Sequence, residues 1–324
     1  MAKTLLLLSK HESDVQFVSQ VATVTKQSLR HVTDPVTAAA LIRDGEVGMV
    51  FMDGSTEAQY LAFEKAIQDS IGLYSDHHNA NSIHALFSCE IQDVPYLTGS
   101  PLLGHFVMRS EKDPQGTGAH YARMVQASMA ERAFGLERFL APGTKIQVVK
   151  LENSTKKRSA VEAVKSYLVA AHFQSRMATV IANAVDELLM NAIFDAPTDG
   201  LGRPTLGATL RSTSMALEGR HAVELHVGFD GNIVGLTAVD LFGSLDKRKL
   251  LSHISMKYTK EEYKIKSSTA SAGLGLATVF HTGGSFFFAS ESRVRTEVTV
   301  FFAKTENFRA FKDQFRFIST QFYF

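Results

Sequence analysis

Cysteine is nearly absent from this chain, and Cys89 is the only one among 324 residues. No intramolecular disulfide can therefore form, and a reducing compartment is the expected setting. An excess of charge of one sign is also lacking, because 34 Lys and Arg residues balance 33 Asp and Glu residues for a net charge of +1. That balance argues against a protein built mainly to bind the phosphates of nucleic acid.

Long apolar runs are missing as well. The apolar run at residues 5–8 is too short for the core of a signal peptide or for a membrane span, and it indicates a buried strand. We therefore expect a soluble, cytoplasmic protein without a membrane span. Hydrophobic residues make up 45% of the chain, which is enough for a core in each of the two domains that the length suggests.

Short apolar runs alternate with helical patterns in the first half of the chain, as they do in repeated strand–helix units. Val15, Val18 and Val21 fall at helical spacing behind the first strand, and a buried strand over residues 47–52 ends at Asp53. Residues 83–87 and 105–108 are candidates for later strands. This order predicts a parallel sheet wrapped by helices over residues 1–120, followed by a helical linker over residues 121–155.

The second half has a different pattern. An apolar stripe over residues 177–189 predicts a long helix, which must end near Ala196 because Pro197 disfavours helical geometry in the residue before it. Asp230-Gly231, between two apolar runs, is the strongest hairpin signal in the chain. Residues 286–289 and 298–302 read as further strands. Residues 156–305 are therefore predicted to place helices on one face of a mainly antiparallel sheet.

A polar row is expected on the long helix. Glu187, Asn191 and Asp195 follow one another at steps of four residues, and each step advances only about 40° around an α-helix. An amide oxygen beside carboxylates suits a hard cation such as Mg²⁺. The spacing alone leaves open the alternative of an exposed polar stripe.

The run Glu-x-x-x-Asn-Ala-x-x-Asp-Ala that contains these residues resembles the N-box of the gyrase, Hsp90, histidine-kinase and MutL group (GHKL) of ATPases. The resemblance implies that the domain binds ATP and that Asn191 coordinates a Mg²⁺ ion on its phosphates. It also implies that Glu187 is the catalytic base or water-positioning carboxylate and that Asp195 supports the nucleotide.

A second motif follows the first, in the order found in this family, and it concerns recognition of the adenine. Asp240 ends the second strand of the predicted hairpin, where this family has an Asp that accepts a hydrogen bond from the adenine amino group. Gly243 would let the backbone come close, although the family's first glycine is replaced here by Phe242. Asp230 is the rival candidate, but turn chemistry already explains it. Thr296 matches a late strand whose Thr hydroxyl lies near the adenine in this family.

The third motif, Ser271-Ala-Gly273-Leu274-Gly275-Leu-Ala, resembles the Gly-x-Gly-Leu-Gly-Leu box of the group, with Ser271 in place of the first glycine. Glycines before a helix leave backbone N–H groups free to bind phosphate at the positive end of the helix dipole. We therefore expect Gly273, Leu274 and Gly275 to contact the nucleotide. The resemblance covers residues 156–303.

The segment between the second and third motifs corresponds to the family's ATP lid. It is basic, and one or two of its cations could close on the phosphates. For any single one, a solvated side chain is an equal alternative. The cations are Lys247, Arg248, Lys249, Lys257, Lys260, Lys264 and Lys266.

The first half resembles the response-regulator receiver fold, of the flavodoxin-like type, with Asp53 at the phosphoacceptor position. Ser9-Lys10 stand where a receiver has its acidic pair, and the fifth strand leads into Arg109 rather than Lys. Without that pair a cation has little reason to bind. We expect a degenerate receiver that serves docking or dimerisation, and a true phosphoacceptor is the alternative.

The fold class expected is thus α/β, with a receiver-like domain before an α+β sandwich of the histidine-kinase-like ATPase type. His120 and His172 lack the acidic neighbour of an acceptor histidine. The resemblance implies a cytoplasmic signalling protein that binds Mg-ATP (or ADP) and docks protein partners. Three modes stay open: an anti-sigma-factor-like kinase acting on a partner, a nucleotide-gated binding module, and a slow ATPase.

The aromatic tail, residues 306–324, is expected to pack on the protein itself or to reach a second subunit in a homodimer.

Overall fold

The computed structural model describes residues 4–71, 80–207, 209–255 and 274–324. The chain divides into two compact units. Unit 1 consists of Met1–Ala133 and Phe317–Thr320, and unit 2 consists of Phe134–Arg316 and Gln321–Phe324. Together their helices and strands make a mixed α/β protein, as the patterns predicted.

Unit 1 is built on a parallel sheet with the strand order β2-β1-β3-β4-β5. Its strands are β1 (Thr4–Leu8), β2 (Ser28–Val32), β3 (Val47–Asp53), β4 (Ile83–Phe87) and β5 (His105–Met108). Its helices are α1 (Glu12–Thr25), α2 (Pro35–Arg43), α3 (Glu57–Ile71), α4 (Pro95–Thr98) and α5 (Pro114–Met129). The apolar runs of β1, β3 and β4 are buried, as parallel strands covered on both faces must be. Residues 317–319 pair antiparallel with β5.

Two features differ from the sequence-based expectation, namely an additional strand and the segment predicted as a linker. Strand β2 was not predicted, because its side chains are half-buried or exposed and it shows no apolar run. Residues 121–155 do not form a helical linker. Helix α5 continues to Met129 and packs against α1 with Tyr121, Met124 and Val125 buried, while residues 146–151 already pair with unit 2 strands. The apolar pattern of a helix that completes a domain is the same as that of a helix that leaves it.

Unit 1 also buries two histidines side by side. His84 of β4 and His105 of β5 are partners in the parallel register, and their rings stack at 4.0 Å. The other face of His84 stacks on Phe51 at 4.4 Å, and its Nδ1 lies 3.0 Å from the hydroxyl of Tyr121. Burial, with a smaller contribution from His105, holds the pKa of His84 well below its usual range. The ring is therefore neutral in the folded protein.

Unit 2 is built on an antiparallel sheet with the order β9-β10-β8-β7-β6. Its strands are β6 (Ile146–Leu151), β7 (Val223–Phe229), β8 (Ile233–Asp240), β9 (Ser285–Glu291) and β10 (Arg295–Ala303). Its helices are α6 (Lys157–Ala170), α7 (Ser175–Met190), α8 (Lys247–Ile254), α9 (Leu274–His281) and α10 (Phe308–Lys312). The last strand, β11 (Phe317–Tyr323), completes the tail, which forms a helix and a strand.

The β7–β8 hairpin turns where the sequence predicts it. Gly231 has a φ of 97°, which favours glycine. The carboxylate of Asp230 accepts hydrogen bonds from the N–H groups of Asn232 at 3.0 Å and Ile233 at 2.8 Å. Asp230 is therefore a turn residue, which is the role that the sequence indicates for it.

Among the described residues, one helical stretch, Ser175–Asp195, is long and apolar enough to span a membrane by length and composition, with a mean hydropathy of 1.3. No such stretch was expected from the sequence. The core helix of a soluble protein meets the same criterion, and 61% of the 18-residue apolar window in this stretch is buried inside the protein.

Candidate functional site

A cavity of about 360 Å³ lies in unit 2. It is lined by the end of α7, by α8 and α9, by the loops after α7 and β8, and by side chains of β8, β9 and β10. Its apolar wall includes Ala238, Phe288 and Val298, which lie on adjacent antiparallel strands. Four residues predicted as site residues also line it, namely Asn191, Asp195, Asp240 and Thr296.

The end of α7 brings the first two of these residues to the cavity. The helix continues beyond Met190 as a π-helical turn, Asn191–Asp195, and the N–H of Ala196 donates to the carbonyl of Asn191 at 2.8 Å. A π turn holds more residues than an α turn, so the 40° advance expected for steps of four does not apply to it. Asn191 and Asp195 both face the cavity, whereas Glu187, one α turn earlier, does not line it.

Glu187 is directed toward helix α9 instead. Its carboxyl group lies against Gly275, and a Cβ atom at that position would clash with it. Burial raises the pKa of Glu187, the neighbouring Asp186 adds to the rise, and Lys157 opposes it. Lys157 is held nearby by an ion pair with Asp186 at 2.5 Å. A larger side chain at position 275 would require the end of the Glu187 side chain to shift, so the predicted catalytic carboxyl lies in the packing contact between α9 and α7.

Asp240 and Thr296 face each other across the β8–β10 ladder. Both are buried, and Oδ1 of Asp240 accepts a hydrogen bond from the N–H of Phe242 at 2.9 Å. Burial raises the pKa of Asp240 to about 6, although the N–H groups of Phe242 and Gly243 and the hydroxyl of Thr296 act against the rise. The Thr296 hydroxyl makes no well-formed hydrogen bond to any described residue. A buried acceptor and a buried hydroxyl therefore lie together on one cavity wall.

Gly243 acts through Asp240 rather than at the cavity. Its φ is 58°, and a Cβ there would collide with the backbone of residues 291–294, at the turn between β9 and β10. Its own N–H lies at the Asp240 carboxylate. It does not line the cavity, so the glycine predicted to approach the ligand instead lets the segment after β8 pack on that turn and bond to Asp240.

Helix α8 forms another wall. Asp246 caps its N-terminus by accepting from the N–H of Lys249 at 2.7 Å. Asp246, Lys249, Leu250 and His253 fall at i, i+3, i+4 and i+7, so one helical face lines the cavity. His253 was not predicted as a site residue, although its spacing from Lys249 could have indicated it. Of the third motif, Gly273 lies outside the described residues, as do Lys257, Lys260, Lys264 and Lys266, and only the backbone of Leu274 is described.

Unit 1 carries a separate cluster of charges at the carboxyl ends of its strands, where open α/β sheets bind ligands. Arg109, just after β5, donates through Nε to Asp14 at 2.7 Å and through Nη2 to Asp14 at 2.8 Å and Asp53 at 2.9 Å. All three side chains are at least 95% buried. Its Nη1 donates to the hydroxyls of Ser55 and Ser88, each at 2.8 Å. A guanidinium thus lies between two carboxylates.

The carboxylate of Asp53 has partners on both oxygens. Oδ1 accepts from the N–H and hydroxyl of Ser55 as well as from Arg109, and Oδ2 accepts from Gln59 at 2.7 Å and lies 3.3 Å from Nε2 of His11. Burial acts to raise the pKa of Asp53, but the hydrogen bonds from Ser55 and Arg109 outweigh it and hold that pKa below its usual value. Asp14 was not predicted from the sequence, because it belongs to α1 rather than to the loop after β1.

No family model and no curated protein matches the chain. Among solved structures it is similar to the Legionella pneumophila response regulator LqsR, with 11% sequence identity over 94% of this chain and 88% of that chain. The TM-score of this match is 0.28, and a likeness of that size carries no argument about function.

Proposed function

We propose that unit 2 binds a Mg²⁺-complexed adenine nucleotide in its cavity, and that the chain is a cytoplasmic signalling protein whose receiver-like unit 1 docks protein partners. One observation carries the nucleotide proposal. Asn191 and Asp195, Asp240, and Thr296 come from three separate stretches of sequence and line a single cavity. Their common location is what a nucleotide site of the histidine-kinase-like type requires.

The wall around Asp240 suits a flat base. An ionised carboxylate in a buried site is costly unless it is hydrogen-bonded, and the exocyclic amino group of adenine is a donor that fits it. The Thr296 hydroxyl can donate to a ring nitrogen and accept from the same amino group. Ala238, Phe288 and Val298 supply the apolar surface against which a ring can lie.

The lining contributed by α7 and α8 suits phosphates. Asn191 offers an amide oxygen, which together with phosphate oxygens could hold Mg²⁺, and Lys249 offers a positive charge. The part of the chain that the structure describes has no group of three or more His, Cys, Asp or Glu side chains arranged for a metal. Magnesium binding would therefore depend on the nucleotide, whose negative charge the ion would neutralise.

Nucleotide binding without turnover is the mode that we favour. The carboxyl group of Glu187 packs against Gly275 rather than lining the cavity, so activation of water or of a partner's hydroxyl would need it to move. Phosphoryl transfer to a partner, or slow hydrolysis, is the second candidate. The raised pKa of Glu187 favours it, because such a carboxyl group is better suited to general-base chemistry.

The role proposed for unit 1 rests on its sheet and its charge cluster. The strand order β2-β1-β3-β4-β5 is that of flavodoxin-like sheets, receivers included. The Arg109 guanidinium holds the position between the carboxylates that a cation would otherwise take. A unit with this sheet and a filled centre is suited to docking rather than to phosphoryl transfer.

Calorimetric titration of the full chain with Mg-ATP, Mg-ADP and Mg-GTP tests the nucleotide proposal. We expect both adenine nucleotides to bind, GTP to bind much more weakly, and Asp240→Asn to abolish adenine binding. Asp230→Asn is the matched control, because Asp230 is a turn residue of the same sheet that does not line the cavity. Absence of ATP binding by the wild-type protein would overturn the proposal.

A further inference from the structure

The charged side chains around the cavity of unit 2 are mostly acidic. Asp195, Asp240 and Asp246 line it. Among the described residues, Lys249 is the one Lys or Arg whose side chain lines it. A nucleotide with two or three phosphates would face this acidic wall, and repulsion between like charges in a partly buried site is large. The carboxylate nearest the predicted phosphate end must therefore be neutralised if phosphates are to bind there.

Asp246 and Asp240 each have partners within the fold. Asp246 caps the positive end of helix α8 through the N–H of Lys249. Asp240 accepts from backbone N–H groups and lies at the predicted adenine end. Asp195 is different, because it adjoins Asn191 on the π-helical turn and its partner is an arginine that does not itself line the cavity.

That arginine is Arg211. Its Nη2 lies 2.8 Å from Oδ1 of Asp195, and both side chains are about four-fifths buried, at 21% and 22% exposure. The guanidinium lies over the ring of the buried Phe194, 5.0 Å from its centroid. Arg211 belongs to the loop after α7, which also contributes Thr198 and Pro204 to the cavity wall. The ion pair therefore connects this loop to the end of the helix.

We propose that Arg211 is the residue that makes the cavity accept phosphates, by pairing with Asp195 so that this carboxylate neither repels the phosphate chain nor turns freely into the site. Arg211 is thus a positioning and specificity-determining residue, and this inference rests on the proposed nucleotide binding. This role concerns binding of the phosphate chain and not of the base, because adenosine, which has no phosphates, gains nothing from neutralisation of Asp195.

The test compares adenosine, ADP and ATP, each with Mg²⁺, by calorimetry on the full chain. Arg211→Ala should weaken ATP and ADP binding roughly tenfold or more while adenosine changes less than roughly twofold. Adding Asp195→Asn to that variant should restore most of the ATP affinity, since the unpaired charge is then gone. Arg211→Lys should keep the preference for ATP over adenosine that Arg211→Ala loses.

Arg203→Ala is the matched control. Arg203 lies in the same loop and pairs with Asp199, but its side chain is 72% exposed, so we expect no change in the ratio of ATP to adenosine affinity. Equal weakening of adenosine and ATP by Arg211→Ala, or failure of Asp195→Asn to restore ATP binding, would overturn the inference and leave nucleotide binding intact. Failure of the wild-type chain to bind any adenine compound would instead overturn the proposed function. Circular dichroism checks that Arg211→Ala is folded. If it is not, Arg211→Gln is used in its place.

Discussion

Replacing Asp240 by Asn should stabilise the nucleotide-free protein at neutral and alkaline pH. The carboxyl group is 5% exposed, and burial raises its pKa from the usual 3.8 to about 6. Ionised Asp240 is therefore less favourable in the folded than in the unfolded chain. A difference of about two pKa units corresponds to a penalty of about 3 kcal/mol at about pH 8. Asn has nearly the same shape and can still accept from the N–H of Phe242, but it carries no charge.

The sign of the pH dependence follows from linkage. Between the unfolded and folded pKa values the folded protein binds more protons, so this group adds stability as the pH falls through about 6. At about pH 5 roughly half of the penalty is relieved. The free-energy advantage of Asp240→Asn over the wild type should therefore shrink by about 1.4 kcal/mol between about pH 8 and about pH 5.

Urea unfolding of both proteins at the two pH values measures this difference, and the other titrating groups cancel because they are common to both proteins. Asp230→Asn serves as the control and should show no such trend, since the half-buried Asp230 carboxylate accepts backbone N–H bonds from Ala141, Asn232 and Ile233, and such bonds favour the charged form. An advantage for Asp240→Asn that is the same at both pH values would refute the reasoning, because it would mean that Asp240 is ionised without penalty in the folded protein.

Three further perturbations have defined outcomes. Arg109→Ala leaves buried Asp14 and Asp53 without their cation and should lower the free energy of unfolding by roughly 3–5 kcal/mol, so an unchanged urea midpoint would contradict the ion-pair geometry. His84→Phe should remove a loss of stability on acidification: the folded pKa of His84 is depressed, so its contribution is present above its unfolded pKa of about 6.5 and is lost as the pH falls below it. Melting temperatures at about pH 7.5 and pH 5 check this against the wild type, and an equal acid shift in both would count against it. Gly275→Ala should lower the free energy of unfolding by roughly 1 kcal/mol, because the end of the Glu187 side chain must shift to make room for the new Cβ, and Glu187→Ala should reverse most of that loss in the double variant.

Much of the fold could be predicted because apolar residues mark it directly. The buried strands and the Asp230-Gly231 turn lie where the pattern places them. Strand β2 could not be found, since none of its side chains is fully buried. The extent of α5 could not be fixed either, because burial against α1 and burial against another domain leave the same apolar spacing in the sequence.

The candidate site was predictable in part, because the motifs that contain four of its residues can be read from the sequence. Asn191, Asp195, Asp240 and Thr296 lie together as their motifs imply, and their roles toward a nucleotide stay predictions. Spacing could not reveal the π-helical turn, because hydrogen bonds to the fifth residue depend on packing rather than on residue type. Glu187 lies one α-helical step before that turn, packs against Gly275 and does not line the cavity. Arg211, sixteen residues after Asp195 and in a loop, has no spacing rule that would pair the two.

The buried arginine of unit 1 bears on the signalling role that we propose for the chain. A metal ion dissociates, and its occupancy follows its concentration, whereas a guanidinium attached to the backbone is present in every molecule at all times. Arg109 also keeps its charge at any physiological pH. The charge cluster that Arg109 forms with Asp14 and Asp53 therefore keeps the same cation at every magnesium concentration. On the role proposed for unit 1, its contribution to signalling would come from its docking surface and not from a change at this charge cluster.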